Sequence, residues 1–246
     1  MTKRLRLFAG PNGSGKSTIK DDIKEKGYLR ELYINPDDIE KQFNTCREFD
    51  LSNFKIHPSE NIIQSFFKNS QLLINNNRTD EANNFKLDKF NIISYVGQNF
   101  DSYLASVFSD FIRKQILAIG ESFAFETVMS SLDKIDILKL AKDNGYKTYL
   151  YFVTTKDVSI NIQRIKSRVA LGGHNVPEDK TKSRYLKSLE NLSEAIPHCD
   201  RVFFFDNSDQ KYELIAEITR GEEQPEIILN SQNIPYWFKN YVLDKI

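Results

Sequence analysis

Cysteine is scarce in this chain, with Cys46 and Cys199 the only two among 246 residues. That excludes a disulfide framework and a cysteine-rich zinc site, and three scattered histidines add no ligand spacing. A reducing cytoplasm is the expected compartment. Net charge is also missing, because 34 Lys+Arg meet 34 Asp+Glu. Nucleic acid is therefore not an expected partner, since phosphate-backbone binders usually carry a basic excess or stripe. No window reaches the roughly 18 apolar residues of a membrane span, so no membrane association is expected. The opening MTKRLRLF is charged like a signal peptide, but its apolar run is cut at Pro11 and Asn12 before an apolar core forms. The dipeptide Asn-Lys occurs nowhere, which removes the N-K-x-D motif of a guanine-reading switch. What is present is a hydrophobic fraction of 40%, enough to bury a substantial core.

Short, continuous apolar runs appear at Arg4 to Ala9, Tyr28 to Ile34, Ser122 to Glu126, Lys147 to Thr154 and Arg201 to Phe205. Continuous rather than alternating runs suit strands buried on both faces. Helical patterns fall between them at Ser17 to Lys26, Ser102 to Ile119, Ser131 to Asn144 and Asp157 to Leu171. Strands alternating with helices predict βαβ units around a parallel sheet. The stretch from about Asn44 to Asn99 breaks the alternation and is longer than a loop needs, so it reads as an insertion with helices of its own. Gly221 to Pro225 reads as a boundary before a C-terminal segment carrying the single tryptophan. The predicted organisation is a domain over 1–220 interrupted by an insertion at 45–100, then an extension over 221–246.

The strongest signal is Gly10-Pro11-Asn12-Gly13-Ser14-Gly15-Lys16-Ser17, followed by Thr18. It matches G-x-x-x-x-G-K-[ST] in full, after a strand and before a helix. Glycines let the backbone curl into a nest of N–H groups aimed at phosphate oxygens, and the next helix adds its positive end. Lys16 would neutralise the β and γ phosphates and Ser17 would offer its hydroxyl to Mg²⁺. ATP with Mg²⁺ is the expected ligand, held by Gly10, Asn12, Gly13, Ser14, Gly15, Lys16, Ser17 and Thr18.

Phosphoryl transfer needs one group to position or deprotonate the acceptor and an acidic group for the metal. In a doubly wound sheet both belong at the carboxyl ends of strands. Asp37 follows the strand ending at Ile34, and Pro36 keeps its approach extended. The alternative is that Asp37 or Asp38 merely caps the helix Ile39 to Phe43. Glu126 ends the apolar run Phe123-Ala124-Phe125, an expensive place for a carboxylate unless it faces a metal, a cation or water. It is the candidate for the Mg²⁺ shell, with an ion pair to a lysine as the plainer alternative. Arg164 and Arg168 are four apart and share one face of an amphipathic helix. Gly172, Gly173 and His174 then make a hinge, and Lys180, Lys182, Arg184 and Lys187 lie on the following helix. Helix, hinge and helix form a lid bringing positive charge over the transferred group. A solvated basic face is the alternative.

Taken together, GPNGSGKST, INPDDI, SFAFETVMSS, QRIKSRVALGGHNVPED and RYLKSLENL resemble the zeta-toxin-like branch of P-loop kinases, over most of residues 1 to 45 and 100 to 220. The resemblance implies a kinase, several of whose relatives phosphorylate the 3'-hydroxyl of UDP-N-acetylglucosamine and are silenced by a small antitoxin. It implies that Asp37 is the base toward the acceptor hydroxyl, that Lys16 binds phosphates and that Arg164 reaches in from the lid. The family's second lid arginine falls on His174 to Pro177, where there is none, leaving Arg168 as the nearest candidate. An acidic residue that contacts substrate in the family falls on Asp110, which with Asp37 and Glu126 makes the expected acceptor-side set. Thr127 directly follows Glu126, a displacement from the family pattern.

The expected fold is a three-layer α/β P-loop domain with a five-stranded parallel core, in which the phosphate-loop strand neighbours the strand ending in Glu126. The expected function is ATP- and Mg²⁺-dependent phosphorylation of a small-molecule hydroxyl. The alternative is a regulatory ATPase without an acceptor, for which Tyr236, Trp237, Phe238 and Tyr241 would form a docking surface, although a segment packed back on the core is the commoner explanation of such aromatics. At the last strand's exit, Asn207 is expected to touch adenine, the alternative being a plain turn before a helix from Tyr212 to Thr219.

Overall fold

The computed structural model describes residues 2–173, 175–221 and 224–246. The chain opens with β1 (Arg4–Ala9) and α1 (Lys16–Glu25). Next come β2 (Leu32–Ile34), α2 (Pro36–Cys46), β3 (Glu48–Asp50), α3 (Glu60–Lys68), α4 (Gln71–Ile74), β4 (Phe85–Leu87), β5 (Ile92–Tyr95) and α5 (Ser102–Ile119). The rest supplies β6 (Phe123–Thr127), α6 (Asp133–Asp143), β7 (Lys147–Thr154), α7 (Val158–Ala170), α8 (Glu178–Glu190) and α9 (Leu192–Ala195). It ends with β8 (Arg201–Asp206), β9 (Glu213–Arg220), β10 (Pro225–Leu229) and helical turns at Tyr236–Phe238 and Lys239–Leu243. Two compact units emerge, one of Met1–Glu31 with Ala124–Ile246, the other of Leu32–Phe123.

In the first unit the strands lie in the order β10-β9-β8-β7-β1-β6. β1 runs parallel to β7, with Arg4 opposite Lys147 and Ala9 opposite Phe152. β7 runs parallel to β8, with Tyr149 opposite Arg201 and Thr154 opposite Asp206. Parallel pairing brings three carboxyl ends to one edge, so the segments following Ala9, Thr154 and Asp206 meet there. Burial explains the continuous apolar runs, since Leu5, Leu7, Phe8, Leu150, Phe152, Val202 and Phe204 are nearly or fully inaccessible. The phosphate-loop strand does neighbour β6, as the sequence suggests.

Beyond the parallel strands the sheet is larger than the five-stranded core expected, because β9 and β10 add antiparallel to β8. The helix expected over Tyr212 to Thr219 is strand β9. Glu213, Glu217 and Arg220 imitate helical spacing, but Ile215, Ala216 and Ile218 are buried and the edge of β8 was available to pair. β10 is the outermost strand, and Ile227, Ile228 and Leu229 on it are exposed. The C-terminal segment packs part of its aromatic set on the core, leaving Tyr236 exposed. Trp237 and Phe238 are buried, Trp237 lying 6.1 Å from the Phe152 ring and Phe238 5.0 Å from the Phe204 ring.

In the second unit the segment expected to be helical carries helices and also a three-stranded antiparallel sheet, β3-β5-β4. A phenylalanine cluster forms its core. Phe43 stacks on Phe100 at 4.1 Å and meets Phe108 edge-on at 5.2 Å, and Phe67, Phe85 and Phe108 are fully buried. α5 begins at Asp101, whose carboxylate accepts from the N–H groups of Tyr103 and Leu104, and it stops at left-handed Gly120 (φ 77). α2 is capped by neither Asp37 nor Asp38. Asn35 is the cap, accepting the Asp37 N–H at 3.0 Å with Pro36 behind it. The run Tyr28 to Ile34 yields only the short β2, since Gly27 (φ 76) turns the chain and Tyr28 is exposed.

Candidate functional site

The phosphate loop and the lid helices lie in the first unit. The phosphate-loop motif leaves β1 at Ala9 and enters α1 at Lys16. Gly10, Gly13 and Gly15 have φ values of 142, 76 and 92, a region open chiefly to glycine. Space forbids side chains as well. A Cβ on Gly10 would lie 1.9 Å from the Val153 carbonyl oxygen, on Gly13 2.7 Å from the Asn161 carbonyl oxygen, and on Gly15 2.0 Å from Asn207 Nδ2. Gly15, the residue before α1, offers no side-chain cap, and no acidic residue stands in the helix's first turn. The positive end of α1 is thus left to an anion.

Lys16 is buried, donating from Nζ to the Pro11 carbonyl at 3.2 Å and lying 3.8 Å from Glu126 Oε1. Ser17 donates its hydroxyl to Glu126 Oε2 at 3.3 Å. The lysine of the plainer reading of Glu126 is therefore the phosphate-loop lysine itself. Ser17 and Thr18 are exposed in the first turn of α1, and Ser14 is fully buried. Among the described residues no group of three or more His, Cys, Asp or Glu forms a ready-made metal cage. One hydroxyl beside one carboxylate nonetheless fits Mg²⁺, which keeps several waters and takes other oxygens from phosphates.

The lid helices place their cations unequally. Arg164, on α7, donates from Nη2 to the Asp209 carbonyl at 3.5 Å. Its Nη1 is buried without a hydrogen-bond partner among the described residues, as is Ser14 Oγ. Buried donors of this kind suit a bound anion. Arg168 sits on the exposed part of the same helix. Arg184, on α8, reaches the loop instead, donating from Nη1 to Asn12 Oδ1 at 3.4 Å. The sequence had shown Arg184 only as one cation of a basic helix. Gly172 in the hinge has φ 84, whereas His174 lies outside the described residues.

Sequence reasoning missed three further residues. Asn161 is completely buried on α7 and donates from Nδ2 to the Asn12 carbonyl at 2.8 Å. The Thr155 hydroxyl, shared with the Asp157 carbonyl at 3.0 Å, donates to Asn161 Oδ1. Tyr185, from α8, donates to the Thr155 carbonyl at 2.6 Å, and burial pushes its phenol up to about 12, so it remains a donor. The signal was available for Asn161, which sits between Val158 and Ile165 on the apolar stripe of α7. Asn207 is also buried, and its Nδ2 donates to the Ser14 carbonyl at 2.8 Å, so its amide faces the phosphate loop.

Asp37 and Asp110 belong to the second unit. Asp37 is exposed in the first turn of α2. Asp110, on α5, pairs with Arg113 at 3.2 Å and Lys114 at 3.0 Å.

Residues 97–217 match the zeta toxin family. Over 63 residues, 26% of this chain and 45% of the relative, the sequence is 41% identical to an uncharacterized protein of Haemophilus influenzae. Among solved structures, AvrRxo1-ORF1:AvrRxo1-ORF2 with sulphate ions is similar at a TM-score of 0.54 and 16% identity, covering 94% of this chain and 62% of that one. The same complex with ATP gives a TM-score of 0.53 at 16% identity, covering 93% and 61%. The chain thus spans under two thirds of each of these relatives, and at such identities the structures establish likeness of fold alone. No helix among the described residues is long and apolar enough to cross a membrane.

Proposed function

We propose that this zeta-toxin-like P-loop kinase transfers the γ-phosphoryl group of ATP to a hydroxyl of a small molecule. The observation that carries the reading is the clustering of Lys16, Ser17 and Glu126, at 3.8 and 3.3 Å, where a glycine loop with positive φ angles enters α1. The loop and Lys16 would hold the phosphates, with Arg164 and Arg184 contributing charge from the lid. Ser17 and Glu126 would hold Mg²⁺, which supplies charge neutralisation between phosphates when bound. Asp37 would accept the proton of the acceptor hydroxyl, as the family resemblance implies, and Asp110 would face the same acceptor.

A nucleotide sugar such as UDP-N-acetylglucosamine is the first acceptor to test. The resemblance to zeta toxins also suggests an antitoxin partner, and the similar structure is that of a complex, AvrRxo1-ORF1:AvrRxo1-ORF2. The cytoplasm is the proposed compartment, where ATP is abundant and the two thiols stay reduced.

Incubation with ATP, Mg²⁺ and either UDP-N-acetylglucosamine or a metabolite extract tests the reaction. A new phosphorylated metabolite is the expected product, and release of inorganic phosphate alone overturns the kinase reading in favour of an ATPase. Glu126→Gln keeps the shape but removes the charge beside Ser17. It is expected to raise the Mg²⁺ concentration for half-maximal activity by about tenfold or more. An unchanged Mg²⁺ titration would remove Glu126 from the metal shell.

A further inference from the structure

Three elements converge on the outer side of the phosphate loop, and two of them do so through a buried side-chain amide. Asn161 of α7 donates to the Asn12 carbonyl and Asn207, just after β8, donates to the Ser14 carbonyl, both at 2.8 Å. Val153 of β7 closes on Gly10 without a side-chain hydrogen bond. Among the described residues there are no cis peptide bonds. In a trans peptide the carbonyl and the following N–H point in opposite directions. A donor that pins the Asn12 carbonyl outward therefore turns the Gly13 N–H inward, and one that pins the Ser14 carbonyl turns the Gly15 N–H inward.

We infer that Asn161 and Asn207 are positioning residues for phosphate binding, each holding one peptide plane of the loop so that the N–H groups of Gly13 and Gly15 face the nucleotide phosphates. The inference rests on the phosphate-binding part of the proposed function and assigns Asn207 to the loop rather than to adenine.

The chemistry of both side chains suits this work. A carbonyl rotated into the nest would repel phosphate oxygens, and flexible glycines place little barrier against that rotation. A neutral amide supplies the donor without putting negative charge beside the phosphates, which an aspartate would do. Asn161 is itself oriented, because the Thr155 hydroxyl donates to its Oδ1 and so leaves Nδ2 for the loop. Tyr185 then ties the Thr155 carbonyl to α8, where the neighbouring Arg184 reaches the Asn12 side chain. Asn12 is thus held by α7 through its backbone and by α8 through its side chain. The closeness of the clamps also accounts for the glycines, since the Asn161 backbone and the Asn207 amide occupy the space where Cβ atoms of residues 13 and 15 would sit.

The test compares equilibrium binding of ATP and of adenosine to the full chain, in wild type, Asn161→Leu and Asn207→Leu. Leucine matches asparagine in shape and carries no charge, so a loss cannot be charge repulsion. Each variant should bind ATP at least about tenfold more weakly, the scale of a buried hydrogen bond lost, and should bind adenosine as before. Asn207→Ser retains a donor and should lose less than Asn207→Leu. Thermal unfolding identifies any variant that fails to fold, and the two sites lie on separate elements, so either reads alone. A folded variant that keeps the wild-type preference for ATP over adenosine overturns the assignment at that position. Equal weakening of ATP and adenosine overturns it too, as a general structural defect. If wild type shows no preference for ATP, the kinase reading falls and takes the inference with it.

Discussion

Lys16→Ala is expected to lower phosphoryl transfer by about 100- to 1000-fold or more, the scale of removing one preorganised charge-stabilising donor from an active site. Lys16 is buried between the Pro11 carbonyl and Glu126, so its cation is already in place before any phosphate arrives. Removing it leaves a partly buried carboxylate facing the phosphate position, which turns attraction into repulsion. ATP binding should weaken along with turnover. Expression in cells offers a second reading of the same variant. Growth arrest by wild type but not by Lys16→Ala would support a toxin, whereas harmless expression of an active wild type would make it a housekeeping kinase. Transfer by Lys16→Ala near the wild-type rate would remove the loop lysine from the mechanism.

Asp37→Asn should separate binding from chemistry. The substitution is isosteric and leaves the Asn35 cap in place, because that bond uses the Asp37 backbone N–H. ATP affinity is expected to stay within about twofold, since no phosphate contact is assigned to Asp37. Transfer to the acceptor should fall by about 100- to 10,000-fold, the contribution of a general base. Single-turnover assays with saturating ATP and acceptor measure the difference directly. If turnover is undiminished, the base lies elsewhere, and Asp110 would be the next residue to substitute.

Local chemistry makes much of the fold legible in the sequence. α5 runs from Ser102 to Ile119 as its helical pattern suggests, and Asp101 caps it and Gly120 ends it in the structure. β7 runs from Lys147 to Thr154 as its unbroken apolar composition suggests. β9 was not legible, because its helix-like charge spacing is overridden by pairing to β8, a contact that exists only in the assembled sheet. The strands of the second unit were hidden for a related reason: β3, β4 and β5 are three to four residues each, too short to show a period. The phosphate loop announced itself because its function constrains consecutive residues. Its clamps did not, since Asn161 and Asn207 lie 149 and 193 residues from the carbonyls they hold. Arg184 was visible only as a charge, and what distinguishes it from Lys180 or Lys187 is its reach to Asn12.

The packing of the C-terminal segment has an optical consequence. Trp237 is the only tryptophan, and its indole N–H donates to Asp206 Oδ2 at 2.7 Å. Asp206 also accepts from the Ser208 N–H at 2.9 Å, and the residue between them is Asn207. The indole is thus anchored to the same short turn that grips the phosphate loop through Ser14. Tryptophan emission responds to hydrogen bonding and to the polarity of its surroundings, so the single tryptophan reports on the turn that holds the phosphate loop. If the loop binds nucleotide as proposed, titration with ATP is expected to change the tryptophan emission of the unmodified chain, and an unchanged spectrum would uncouple Trp237 from the loop.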